Sequence, residues 1–206
     1  MILMVTGHRP KRLNNEWNLD GPCCAYVRSQ MVEHIESIKP SEAISGMALG
    51  SDTIFAEAIL DMGIPLTAAI PFEHQDNRWP FKSKLRYRRL LEKAAKVIDV
   101  SQEDLSEIVC TDTHDDGSVF EDTGLEFIGD EFSMYNHMHN RNAWMVHHCD
   151  ESLAVVEDSS MRYFSPTYVS GGTGGAVARL LAKEKIIHYI DPNLWRENPP
   201  NCADLS

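Results

Sequence analysis

Ser170-Gly171-Gly172-Thr173-Gly174-Gly175-Ala176-Val177 is a glycine-rich turn that runs into an apolar, helix-forming stretch. Glycines at a helix start leave backbone N–H groups unobstructed, and those groups together with the helix dipole favour an anion such as phosphate. Just upstream, Leu153-Ala154-Val155-Val156 is an uninterrupted apolar run of strand length. Before that, Met138-His139-Asn140-Arg141-Asn142 opens a helix-like segment with one arginine between two asparagines. Strand, glycine turn and helix in that order form the repeating unit of a parallel sheet covered by helices. An arginine one strand away from a phosphate cradle points to an anionic, nucleotide-like ligand.

Working outward, the same alternation recurs. Ile2–Thr6 is a β-rich run ending at Gly7, and Pro22–Ile38 shows helical spacing through Tyr26, Val27, Met31, Ile35 and Ile38, with Pro40 just beyond its end. Ala43–Ile44 predicts a second strand, leading through Ser45–Gly50 into a helix over Ser51–Met62 capped by Ser51 or Asp52. Leu66–Ile70 predicts a third strand and Arg78–Lys96 a long helix with a basic face at Lys82, Lys84, Arg86, Arg88 and Arg89. Strands at Val97–Val100 and Ile186–Ile190, a helix over His137–His148 and one over Gly174–Lys183 complete the series. The expected class is α/β: one domain over residues 1–192, a mainly parallel sheet with helices on both faces. Residues 193–206 are expected to form a loosely held tail. In such sheets ligands sit at the carboxyl ends of the strands, near the point where strand order reverses.

The net charge of −12 is mostly local. Ser101–Glu131 holds eleven acids and no Lys or Arg, which leaves 20 acids against 19 bases elsewhere. Residues 101–135 therefore read as an acidic insert outside the core. With no concentrated basic surplus, duplex nucleic acid is excluded as a partner at this stage. No apolar run approaches the roughly 18 residues that span a bilayer, so no membrane partner is expected. The first residues lack a basic stretch and a cleavage site, which places the protein in the cytoplasm by default. Five cysteines without CxxC spacing predict buried thiols, not a disulfide framework. His137, His139, His147, His148 and Cys149 are adjacent or two apart on a helix, the wrong spacing for ligands on one face, so no metal is expected. Self-association is left open, and no cofactor is expected.

Several post-strand turns carry candidate ligand groups. Gly7, His8 and Arg9 follow the first strand; Arg9 suits bidentate phosphate binding, and His8 can donate to phosphate or act as acid or base. Gly46 and Gly50 permit close backbone approach, and Asp52 can accept from ribose hydroxyls. Glu73 lies in Pro71-Phe72-Glu73-His74-Gln75 after the third strand. Arg141, Asn142, Gly171, Gly172, Thr173 and Gly174 complete the set. For each polar residue the competing reading is structural: Arg9 tied to a helix carboxylate, Asp52 only a cap, Trp79 a packing group.

Five blocks in order, GHRP, SGMALGSD, AAIPFEHQDNRWP, MHNRNAWMVHHCD and SGGTGGAV, resemble the YspA/YpsA-like branch of the SLOG superfamily, which also includes the LOG phosphoribohydrolases and the DprA proteins. The resemblance spans about residues 1–100 and 136–190. It implies a Rossmann-like domain that binds nucleotides or nucleotide-derived ligands. The LOG enzymes cleave the N-glycosidic bond of nucleoside monophosphates with an arginine in MHxRK and a glutamate in PGGxGTxxE. Arg141 takes the arginine position, Asn142 replaces the lysine, and Gly171, Gly172 and Gly174 match the glycine turn. Gly175 stands where the threonine is, and Ala178 where the glutamate is.

Three functions follow. The first is a nucleotide-binding module, a sensor or a sequestering protein. The second is an N-glycosidase with catalytic Arg141 and its carboxylate relocated to Asp52, Glu57 or Glu73, because glycosidic cleavage needs an acid or nucleophile near the anomeric carbon. The third is a protein-interaction module that uses the acidic insert.

Overall fold

Residues alternate across the first strand in the way a strand buried on both faces requires. Leu3 and Val5 enter one apolar cluster and Met4 enters the other, and all three are buried. In the computed structural model, which describes residues 1–109, 130–157 and 171–198, this strand is β1 (Ile2–Gly7), near the centre of a six-stranded sheet. Its companions are β2 (Glu42–Ser45), β3 (Leu66–Ile70), β4 (Lys96–Asp99), β5 (Glu151–Val155) and β6 (Ile186–Ile190). The order is β4-β3-β2-β1-β5-β6, and every pairing is parallel. The expected α/β class is the one observed.

Helices α1 (Pro22–Ile38), α2 (Ser51–Asp61) and α3 (Phe81–Lys93) cover one face. The short α4 (Ser106–Val109), α5 (Asp130–His148) and α6 (Gly171–Ala182) belong to the other. Each helix starts and stops for a local reason. Pro22 sits at the first position of α1, where its missing N–H costs nothing. The Glu16 carboxylate accepts from the N–H groups of Cys23 (3.1 Å) and Cys24 (2.8 Å), so an acid five residues upstream performs the capping. Lys39 ends α1 in the left-handed region at φ 52°. Buried α2 is apolar nearly all round, whereas α3 turns only Tyr87 and Leu90 fully inward and leaves its basic side chains to solvent.

Two boundaries differ from expectation in ways that matter. Ser51 and Asp52 do not cap α2; its N-cap is Gly50 with no side-chain cap, because Ser51 Oγ donates to the His8 carbonyl (3.0 Å) and Asp52 Oδ2 accepts from Ala48 N–H (3.2 Å). The glycine segment is the first turn of α6 itself, since the helix begins at Gly171. The acidic stretch also begins inside the core: Ile108 is buried with Val100 and Trp144, and Leu105 packs against them. Residues 110–129 lie outside the described residues. The final turn, Pro192–Arg196, packs on α1, and Cys23 Sγ approaches the Pro192 carbonyl at 3.6 Å, so the first part of the expected tail is held. Cys23, Cys24 and Cys149 are buried free thiols. Among the described residues no helix is long and apolar enough to cross a membrane.

From β1 the chain proceeds outward through β2, β3 and β4, then returns to place β5 and β6 on the other side of β1. Strand order therefore reverses between β1 and β5, and the loops at their carboxyl ends diverge to open a crevice. Gly50 holds one wall of it at φ +99° and ψ −128°, where an added Cβ would lie 2.5 Å from the His8 carbonyl oxygen. Gly50→Ala is expected to destabilise the fold by roughly 1–3 kcal/mol, read as a lower urea midpoint, because strain and close approach act together. An unchanged midpoint would show that the turn relaxes freely.

Candidate functional site

Four chain segments meet at the reversal point. The turn after β1 brings Gly7 and Arg9, the turn from β2 into α2 brings Ala48 and Asp52, α5 brings Arg141, Asn142 and Met145, and α6 brings Gly172 and Thr173. With Val5 and Thr6 these residues line one small, mainly polar cleft.

Arg141 is the centre of this arrangement. It is 6% exposed, and its Nη1 donates to the Gly46 carbonyl at 2.5 Å while its Nε donates to Asn142 Oδ1 at 3.0 Å. Asp52 Oδ2 stands 3.7 Å from Nη1, an electrostatic contact beyond hydrogen-bond length. Asn142 in turn donates from Nδ2 to the Gly172 carbonyl at 2.8 Å. One guanidinium thus reaches β2 directly and α6 through an amide relay. Gly46 is glycine for a steric reason: an added Cβ would lie 2.6 Å from Arg141 Cζ and 2.8 Å from Asp52 Oδ2.

Burial lifts the Asp52 carboxyl above the usual range, while Arg141, Arg9 and the Ala48 N–H pull it back down. Burial likewise pushes the Arg141 guanidinium down, opposed by Asp52, yet a guanidinium stays protonated at any pH the protein meets. The outcome is a fixed buried cation beside a carboxyl group whose pKa burial keeps raised. Thr173 closes the far side, its hydroxyl donating to the Gly7 carbonyl at 3.0 Å.

These bonds sort the candidate residues. Asn142 has both ends of its amide engaged, and the Thr173 hydroxyl is also engaged, so both act as struts. Arg9 is exposed on the cleft rim, and the first turn of α6 presents backbone N–H groups of the kind that bind anions. Gly7 is tight against Ser51 and Val155, where an added Cβ would come within 2.7 Å of each. Gly171 and Gly174 lie in the same first turn of α6 as Gly172.

His8, expected to meet phosphate or transfer protons, is not among the residues that line the cleft. It is buried, its Nε2 accepts the Glu157 N–H at 3.1 Å, and burial and then Arg12 lower its pKa to about 4. Its backbone is engaged as well: its N–H donates to the Val155 carbonyl, and its carbonyl accepts from Ser51 N–H. His8 is a neutral pin between β1, β5 and α2. Glu57 does not reach the cleft either. It pairs with Arg86 at 3.0 Å on the outer side of α2, while Glu73 is exposed and pairs with His74 at 3.3 Å. Asp52 is therefore the one proposed carboxylate that lines the cleft. Ala178 is fully buried.

Sequence reasoning passed over Ser45, whose Oγ donates to the Asp52 carbonyl (2.9 Å) and accepts the Met47 N–H (3.1 Å). It also passed over Met145, which follows Arg141 by four residues and so shares its helix face. Among the described residues no three His, Cys, Asp or Glu side chains are grouped so as to hold a metal ion.

No protein-family model matches the chain, and no curated protein does. Among solved structures it is similar to the X-ray structure of DNA processing protein A (DprA) from Streptococcus pneumoniae, at 13% identity and a TM-score of 0.39. The match covers 96% of this chain and 61% of that one, so this chain spans about three fifths of that protein's length. The exclusion of duplex nucleic acid as a partner is withdrawn, because the similar structure is of a DNA processing protein. The expectation set the acids of residues 101–131 apart and required a basic surplus in the remainder, whereas α3 presents a basic surface within a nearly neutral remainder.

The buried neutral His8 gives a pH signature. Its pKa falls from 6.5 to about 4 on folding, so the unfolded chain binds the extra proton between those values. Stability from this group is complete above pH 6.5 and is lost as pH falls toward 4, by about 3 kcal/mol in all. A His8→Gln variant, which keeps an acceptor for the Glu157 N–H but does not titrate, is expected to show a shallower loss of stability over this window. Parallel pH profiles in urea titrations would remove His8 from this role.

Proposed function

We propose that the cleft binds a nucleotide or a nucleotide-derived ligand, with the protein acting as a sensor or sequestering module. What carries the reading is the convergence of Arg9, Asp52, Arg141 and the first turn of α6 on one crevice where strand order reverses. Arg9 and the α6 N–H groups supply donors for a phosphate, and Arg141 adds fixed positive potential behind them. Asp52, held by Ala48 N–H and facing the same space, is the acceptor for a sugar hydroxyl or a base amino group.

Isothermal titration against a panel of nucleoside mono- and diphosphates tests this. Arg9→Ala, on an exposed side chain, is expected to weaken binding roughly tenfold to a hundredfold, the worth of one charge-assisted hydrogen bond, with little change in melting temperature. Arg141→Ala is expected to lose binding and also roughly 3–5 kcal/mol of stability, since it strands Asp52 in a buried position. Nucleotides that bind equally well to Arg9→Ala would overturn the assignment. Asp52 is also what an N-glycosidase would need, and release of free base at about 1 per second or faster, abolished in Asp52→Asn, would replace binding with turnover.

A further inference from the structure

A groove of about 540 Å³ opens on the α1–α3 face, away from the cleft. Its lining mixes apolar side chains with five cations and three carboxylates, Asp20, Glu57 and Asp61. Lys82, Arg86, Arg89 and Lys93 follow a four, three, four spacing, which aligns them on one face of α3, and all four line the groove. Two cations in it are already neutralised: Arg86 by Glu57 at 3.0 Å and Arg28 by Asp61 at 2.6 Å. Lys82, Arg89 and Lys93 are exposed and make no hydrogen bond or ion pair with the described residues. Opposite them, Trp17 is 51% exposed and Leu85 39% exposed, large apolar surface that a solvated face does not need.

This mixture selects for a particular partner. A phosphate backbone asks for an uninterrupted cationic track, whereas three free cations set among Trp17, Leu60, Leu85 and Leu90 suit a segment that mixes carboxylates with apolar side chains. The chain itself contains such a segment. Residues 117–128 read Gly-Ser-Val-Phe-Glu-Asp-Thr-Gly-Leu-Glu-Phe-Ile, three acids among five large apolar residues, and all of 101–131 lacks Lys and Arg. Its flanking elements α4 and α5 pack on the face opposite the groove, so a segment of the same copy would have to wrap the exposed β4 edge to reach it. We propose that the groove is a self-association surface, which takes the acidic segment 110–129 of a second copy of this chain in a head-to-tail contact.

A complementation experiment tests this. The full chain, followed by sedimentation velocity over a range of concentrations, is expected to self-associate, and the association is expected to weaken at least about tenfold when salt is raised several-fold toward 0.5 M. A triple variant, Lys82→Glu, Arg89→Glu, Lys93→Glu, destroys the groove's charge with substitutions confined to exposed side chains. A second variant replaces 110–129 with a Gly-Ser linker of equal length and leaves Ile108 and α5 intact. Each is expected to be monomeric alone, and an equimolar mixture of the two is expected to form heterodimers, since each retains one half of the contact. Melting curves establish that both variants fold. A monomeric wild-type chain, or variants that fail to combine, overturns the proposal. A wild-type chain that stays monomeric at every concentration while a synthetic 110–129 peptide binds the linker variant and not the wild type would show docking within one copy, and so would also overturn it. A single-stranded oligonucleotide that binds the groove where the peptide does not would make the surface one for nucleic acid instead.

Discussion

A buried guanidinium has five donors to satisfy and no water to satisfy them, and the architecture around the cleft follows from how Arg141 meets that demand. It bonds the Gly46 carbonyl, 95 residues away in sequence, and the Asn142 amide, and it stands beside the Asp52 carboxylate. These contacts join a helix on one face of the sheet to a turn at its edge and a helix on the other face. The turn after β2 must then approach closely enough to offer its carbonyl, which is why position 46 has no side chain. The first turn of α6 is drawn in through Asn142 and is held from the other side by Thr173 against Gly7. The crevice between β1 and β5 exists because of topology. Its dimensions are set by one cation.

The same constraint explains which parts of the site were legible in the sequence. α1, β3 and β6 fall on the residues expected of them, because apolar periodicity and local stop signals at Pro40, Gly63 and Pro71 act within a few residues. Gly7, Arg9, Asp52, Arg141, Gly172 and Thr173 line one cleft, and the alternation of strands and helices is what places their segments at one edge. What the pattern could not convey was which groups are already engaged. His8 was readable as a ligand because imidazole in a post-strand turn is chemically apt, but its ring accepts a backbone N–H from Glu157, a partner 149 residues distant. Glu57 failed for a geometric reason: five residues after Asp52 on α2 it points to a different side of the helix, toward Arg86.

Charge illustrates a second limit of linear reading. A total of −12 describes neither half of the molecule. The sheet and helices outside the acidic stretch are close to neutral overall, and within them the cations gather on α3 while the carboxylates are spread among pairs and caps such as Glu16, Glu57 and Asp61. A partner meets a local surface and is screened from the rest beyond roughly 10 Å, so the sign of the whole chain is a poor guide to what binds it. This is why a near-neutral balance outside the acidic stretch did not exclude duplex nucleic acid, and why the α3 groove has to be judged on its own residues.

Position 178 bears on whether the cleft does chemistry. The resemblance of the glycine segment implies a carboxylate at this position; the residue is instead an alanine with no exposed surface, on α6. The difference is more than one missing side chain. A glutamate placed there would have no solvent within reach, and an unpaired buried carboxylate costs several kcal/mol. Asp52 does not substitute for it freely, because it is buried, accepts the Ala48 N–H and stands beside Arg141, contacts that fix its orientation. A carboxyl group fixed in this way reaches only what the cleft brings to it, so its part in holding a ligand is set by geometry before chemistry.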